Sequence, residues 1–91
     1  MPYVHITKTP GKDLDDYRQV VSAVGDSPIS GRISHYAGTE EGSLMIVDVW
    51  QSRADADRFA AERLFPAFAG VWGRPPEDTL ILAYDAEVVD A

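Results

Sequence analysis

Two histidines and one unexpected aspartate are the residues of this 91-residue chain best suited to acid–base chemistry. His5 and His35 are its only histidines. An imidazole titrates near neutrality, so either one can deprotonate a phenol or hold an enolate. Asp48 interrupts the apolar run Leu44-Met45-Ile46-Val47-Asp48-Val49-Trp50. A carboxylate in such a run is costly unless paired, and calls for a neighbour such as His5, His35 or Arg32. Each of these residues also has a plain structural role open to it. The histidines can be satisfied by backbone or water, and Asp48 can sit in a structural pair or at a wet sheet edge. As metal ligands the histidines lack a third partner other than Asp48, and no metal site is expected.

Around these groups stand residues fitted to bind rather than react. Trp50, Phe59, Phe68 and Trp72 offer flat apolar surface for an aromatic substrate, and equally suit an ordinary core. Tyr36, like Tyr3 and Tyr84, offers a hydroxyl, while Arg32 suits either a bound anion or a solvated edge. Gly38, Gly42, Gly70 and Gly73 form no phosphate-cradling motif. Ser27, Ser30 and Ser34 occupy no nucleophile-elbow context.

Composition narrows the partners. Acidic residues outnumber basic ones 15 to 8, for a net charge of -7. Nucleic-acid binding depends on clustered Lys and Arg that neutralise phosphates, and here the arginines are scattered among acids. Neither nucleic acid nor a membrane is an expected partner. No apolar run reaches the length of a spanning helix, and the first residues do not read as a signal peptide. The absence of cysteine removes any disulfide framework and fits a reducing compartment. The expectation is a cytoplasmic protein folding as one domain over residues 1–91.

The elements that must position these residues follow from periodicity. Residues 3–8 are rich in β-favouring types and read as a strand, closed by Pro10-Gly11. Leu14, Tyr17, Val20, Val21 and Val24 recur at helical spacing. Asp13 suits the cap of that helix, Asp15 and Asp16 its positive end, and Gly25 its stop. Strands over 31–38 and 43–51 follow, joined by the loop 38–42 with its two glycines. Ser52 opens a second helix, with Asp55 three residues on as a variant capping box. That helix carries Ala56, Phe59, Ala60, Leu64 and Phe68, and Pro66 predicts a kink or restart near 64–66. Gly70, Gly73 and Pro75-Pro76 loosen the chain before a last strand over 79–84.

The order βαββαβ predicts an α+β, ferredoxin-like domain: a four-stranded antiparallel sheet with both helices on one face. The third strand is apolar at nearly every position, as strands covered on both faces are. Two helices cover only one face. A second copy of the chain is the expected cover for the other, so the prediction is a homodimer through the sheet face.

The stretch Ile46-Val47-Asp48-Val49-Trp50-Gln51-Ser52-Arg53-Ala54-Asp55-Ala56, an apolar strand ending in Val-Trp and leading through Ser into a helix, resembles the dimeric α/β-barrel superfamily. Within it the similarity is to the antibiotic biosynthesis monooxygenase-like proteins. The resemblance implies a dimer packed sheet to sheet, with a small-molecule pocket between each sheet and its helices. It includes cofactor-free oxygenases of polycyclic phenols, haem-degrading enzymes and isomerases. The haem-degrading members use an Asn on the first strand and a Trp and a His on the second helix. The helical positions fall here at Phe59 and near Ala69, and this chain has no Asn at all. The quinone-forming oxygenases also rely on an Asn and a Trp in this region.

The functional expectation is a monooxygenase-like protein, needing no cofactor, that acts on a hydrophobic or aromatic small molecule such as a polyketide. His35, His5 and Asp48 are the catalytic candidates. Trp50, Phe59, Phe68, Trp72, Tyr36 and Arg32 are the substrate-binding candidates. The alternatives are a non-catalytic binding or accessory protein of the same fold, and an isomerase or cyclase using the same histidine without oxygen.

Overall fold

A computed structural model describes residues 1–74 and 78–89 of the chain. Its elements run β1 (Tyr3–Pro10), α1 (Leu14–Val24), β2 (Arg32–Glu40), β3 (Ser43–Trp50), α2 (Arg53–Phe59), a π-helical turn (Ala60–Leu64), α3 (Phe65–Trp72) and β4 (Leu80–Asp85). The strands form one antiparallel sheet in the order β2-β3-β1-β4, with the helices on one face. This is the ferredoxin-like arrangement expected from the element order. Pro75-Pro76 lie outside the described residues.

Local chemistry explains where the helices begin and end. Asp13 caps α1 by accepting the Asp16 N–H at 2.9 Å, and Asp16 returns the bond from the Asp13 N–H at 3.0 Å. Asp16 therefore does more than meet the helix dipole: it closes a reciprocal capping box. Gly25 ends the helix at φ 87°, a backbone geometry that suits glycine. Ser52 caps α2 through the Asp55 N–H at 3.2 Å. The restart expected near Pro66 takes the form of the π-helical turn, after which α3 begins with Pro66 in its first turn.

Two local features differ from the sequence reading. The β2–β3 hairpin is tighter than a five-residue loop, since pairing continues to Glu40↔Ser43 and leaves only Glu41 and Gly42 between the strands. Both have positive φ, 48° and 77°, which matches the twist of the flanking strands. A register shift between Arg32 and Ser34 makes Ile33 an extra residue in β2. Arg32 then pairs with Trp50 and His35 with Asp48, and both lie on the helix-covered face. Strict alternation would have put residues 32 and 35 on opposite faces.

The core lies between sheet and helices. Val20 and Leu44 are fully buried, with Tyr17, Ile46, Ala67 and Phe68 packed around them. A second cluster of Trp50, Ala56 and Phe59 joins it through Val24 and Leu64, which touch both. Burying a side chain of this size contributes about 1.5–3 kcal/mol. The face of the sheet away from the helices is left uncovered by the helices among the described residues. There Tyr36, Val47, Ile6 and Leu82 pair into one row across all four strands. Tyr36 and Leu82 are 66% and 54% exposed. Every residue of β4 is exposed, on both faces.

Candidate functional site

One register row carries the chemistry. His35 on β2, Asp48 on β3 and His5 on β1 are direct cross-strand partners, so they lie side by side on the helix-covered face. Asp48 is only 8% exposed. Its Oδ1 accepts a hydrogen bond from His35 Nδ1, which supplies the partner that a buried carboxylate requires. His35 Nε2 in turn meets the Tyr17 hydroxyl at 3.0 Å. The result is a chain from α1 through β2 to β3: Tyr17, His35, Asp48.

In the neutral tautomer that donates its Nδ1–H to the Asp48 carboxylate, His35 keeps a lone pair on Nε2. Tyr17 is then the donor to Nε2. Burial pushes the Tyr17 hydroxyl well above the usual phenol range, the Asp48 charge adds to this, and Arg32 opposes it. The hydroxyl therefore stays protonated through the neutral range.

Two clefts open above this row. The first, of about 280 Å³, has a floor of β1 and β3 side chains and a roof from the π-helical turn and α3; Tyr17, Phe68 and Trp72 line it. The second, of about 350 Å³, lies toward α2 and is lined by Trp50, Phe59 and Asp57. His5, Asp48, Ala60, Leu64 and Phe65 belong to both, so the histidine and the carboxylate sit where the clefts meet. Ala60 and Leu64 are the ends of the π-helical turn. Such turns recur at functional sites because they displace the helix locally.

The remaining candidates fall into place around this centre. Trp50 and Phe59 are in contact at 5.3 Å between ring centroids, and Phe68 stacks on Trp72 at 4.9 Å. The Lys12 ammonium lies 4.7 Å from the Trp72 ring centroid, and the buried indole Nε1 of Trp72 has no hydrogen-bond partner among the described residues. Arg32 stands 5.8 Å from the Phe59 ring and, with His35, lines a smaller recess beside Tyr17. His35 is not among the lining of either larger cleft and reaches them only through Tyr17 and Asp48. Tyr36 is not brought to the site: its place opposite Val47 puts it on the other face of the sheet, 66% exposed.

The residue that sequence reading passed over is Tyr17. Its spacing makes it one more apolar position in the α1 stripe. The signal was its hydroxyl, the one polar group among Leu14, Val20, Val21 and Val24. Among the described residues no group of three or more His, Cys, Asp or Glu is arranged to hold a metal ion. No described helix is long and apolar enough to cross a membrane.

No family model matches the chain, and no curated protein matches it in sequence. Solved structures do. A protein described as an antibiotic biosynthesis monooxygenase superposes with a TM-score of 0.68 at 19% identity, over 97% of this chain and 100% of that one. SnoaB, a cofactor-independent oxygenase from Streptomyces nogalater, gives 0.69 at 13% identity, over 97% and 95%. A dimeric ferredoxin-like protein of unknown function from Thermobifida fusca gives 0.67 at 15% identity, over 94% and 92%. The chain thus has the ferredoxin-like fold of the antibiotic biosynthesis monooxygenase-like proteins. At these identities the likeness speaks for the fold, and the chemistry must be argued from the site.

Proposed function

We propose that the chain is a homodimeric, cofactor-independent monooxygenase-like protein that binds a flat, apolar hydroxy compound over Asp48. The observation that carries this reading is the row His35–Asp48–His5 at the junction of two largely apolar clefts. Ligand sites of this kind combine apolar walls with a few convergent polar groups. Each cleft alone is at the small end for a ligand site, and together they suit a molecule of two or three fused rings.

The chemistry within reach is removal of a hydroxyl proton by an imidazole supported by a carboxylate. The resulting phenolate is electron-rich at ring carbon and is the form that reacts with dioxygen. Conversion of a ring C–H and the phenolic O–H to a quinone consumes one dioxygen. One oxygen atom enters the ring, and the other leaves as water with those two hydrogens. SnoaB, on the same fold, is described as a cofactor-independent oxygenase, which supports this class. A dimer through the outer sheet face is supported by the apolar row Tyr36–Val47–Ile6–Leu82 and by the dimeric neighbour.

The test is a thermal-shift screen with aromatic hydroxy compounds and polyketides, followed by oxygen uptake on each hit without added metal or flavin. A rise in melting temperature that His5→Ala abolishes, with oxygen uptake, is the expected result. Binding without oxygen uptake points to the binding-protein reading. No shift with any compound overturns the proposal.

A further inference from the structure

The hydrogen-bonded chain Tyr17–His35–Asp48 has both its ends, but not its middle, on the first cleft, the one roofed by the π-helical turn and α3. Tying α1 to the sheet would account for one bond. It does not account for a histidine held on both ring nitrogens, with a carboxylate behind it and, in front, the hydroxyl of a tyrosine that lines the cleft. We propose that these three residues form a proton relay, in which Tyr17 touches the ligand and His35 takes up the proton of its hydroxyl. The inference rests on the reading of the site as one for hydroxy compounds, and names the route by which their proton leaves.

The step balances without any further reactant. The ligand O–H breaks as a new Tyr17 O–H forms; the former Tyr17 O–H breaks as a His35 Nε2–H forms. What remains is a ligand oxyanion, a neutral Tyr17 and an imidazolium paired with the Asp48 carboxylate. His35 Nε2–H then donates back to the Tyr17 oxygen, and the Tyr17 O–H turns to the ligand oxyanion. No free tyrosinate is required, in keeping with a hydroxyl whose buried position resists ionisation. Tyr17 is thus an acceptor toward a neutral hydroxyl and a donor toward the anion, according to the charge on His35. The charged or titratable groups around the relay are Arg32 on β2, His5 on β1 and Asp57 on α2; the cleft lining from α3 is apolar. His35 acts through Tyr17 and is a positioning residue; Tyr17 is the contact. The ligand class is a phenol or an enol on an apolar frame, not an alcohol.

The probe is 4-nitrophenol, whose neutral and ionised forms absorb differently. Binding to the full chain is followed by quenching of Trp50 and Trp72 fluorescence, and ionisation by absorbance across pH. In the wild type the bound probe ionises at lower pH than the free probe, with on the order of tenfold more phenolate at a fixed pH below its free value. Tyr17→Phe and His35→Gln are expected to bind the probe and lose that enrichment. Equal enrichment in Tyr17→Phe overturns the relay and leaves the ligand site standing. No binding to the wild type overturns both. A measurement on the unaltered protein guards against variants that do not fold: nitrogen-15 NMR should show His35 protonated at Nδ1 near neutrality. A resting His35 that carries a proton on Nε2, whether or not Nδ1 is also protonated, overturns the relay.

Discussion

Tyr17 on α1 and His35 on β2 meet hydroxyl to Nε2 at 3.0 Å, so a helix and the strand that follows it are joined by one side-chain hydrogen bond. The bond holds Tyr17 in a position where its ionisation is disfavoured, first by burial and then by the Asp48 charge, with Arg32 opposing.

That relationship makes stability sensitive to alkali. Tyr17 is raised in the folded chain above its unfolded value, so above about pH 10 the unfolded chain loses a proton that the folded one keeps. The contribution is complete below that pH and falls as pH rises toward the folded value, by up to about 1.4 kcal/mol per pH unit. Urea unfolding on either side of that pH should show a steeper loss for the wild type than for Tyr17→Phe. Equal slopes would count against it.

Asp48 and His35 should behave as a coupled pair. Asp48→Leu alone removes the acceptor of His35 Nδ1 and should cost about 1–3 kcal/mol. Adding His35→Leu should restore part of that loss, with a coupling energy of about 1–3 kcal/mol in a double-mutant cycle. Additive single and double changes in urea midpoints would show that the two side chains are independent.

Gly31 is constrained from two sides. Its φ is +83°, and a Cβ there would run into the Asp55 side chain. Asp55 is itself held by Arg58 at 2.5 Å and by Ser52 at 2.9 Å, so it cannot easily give way. Gly31→Ala should cost about 2–4 kcal/mol in the wild type, and only the backbone part, about 1 kcal/mol, in an Asp55→Gly background, which removes the Asp55 Cβ as well as its carboxylate. An equal drop in melting temperature in both backgrounds would rule out the collision as its cause.

The outer sheet face should decide the oligomeric state. Leu82 is 54% exposed at one end of an apolar row that crosses the whole sheet. Leu82→Glu places a charge in that row and should convert a dimer to a monomer in sedimentation equilibrium, with the helix-face core intact by circular dichroism. A wild-type chain that sediments as a monomer at micromolar concentration would refute the sheet-face dimer.

The elements and their order were legible from the residues alone. Hydrophobic spacing of 3.6 and 2, with caps at Asp13, Ser52 and Gly25, depends on near neighbours in the chain, and such interactions are written locally. Asp48 was legible as an anomaly for the same reason, since one charge in an apolar strand needs no partner to be noticed. Which residue answers it was not legible. The bulge at Ile33 sets the face of Arg32 relative to His35, and pairing across β1, β3 and β2 sets both histidines beside Asp48. Both are matters of register between distant segments, where a slip of one residue reverses every side chain. Tyr17 was hidden more deeply, because an aromatic ring at a core spacing reads as packing. Only the approach of α1 to the sheet turned its hydroxyl into a partner of His35, and so turned a buried acid and a histidine into a connected site.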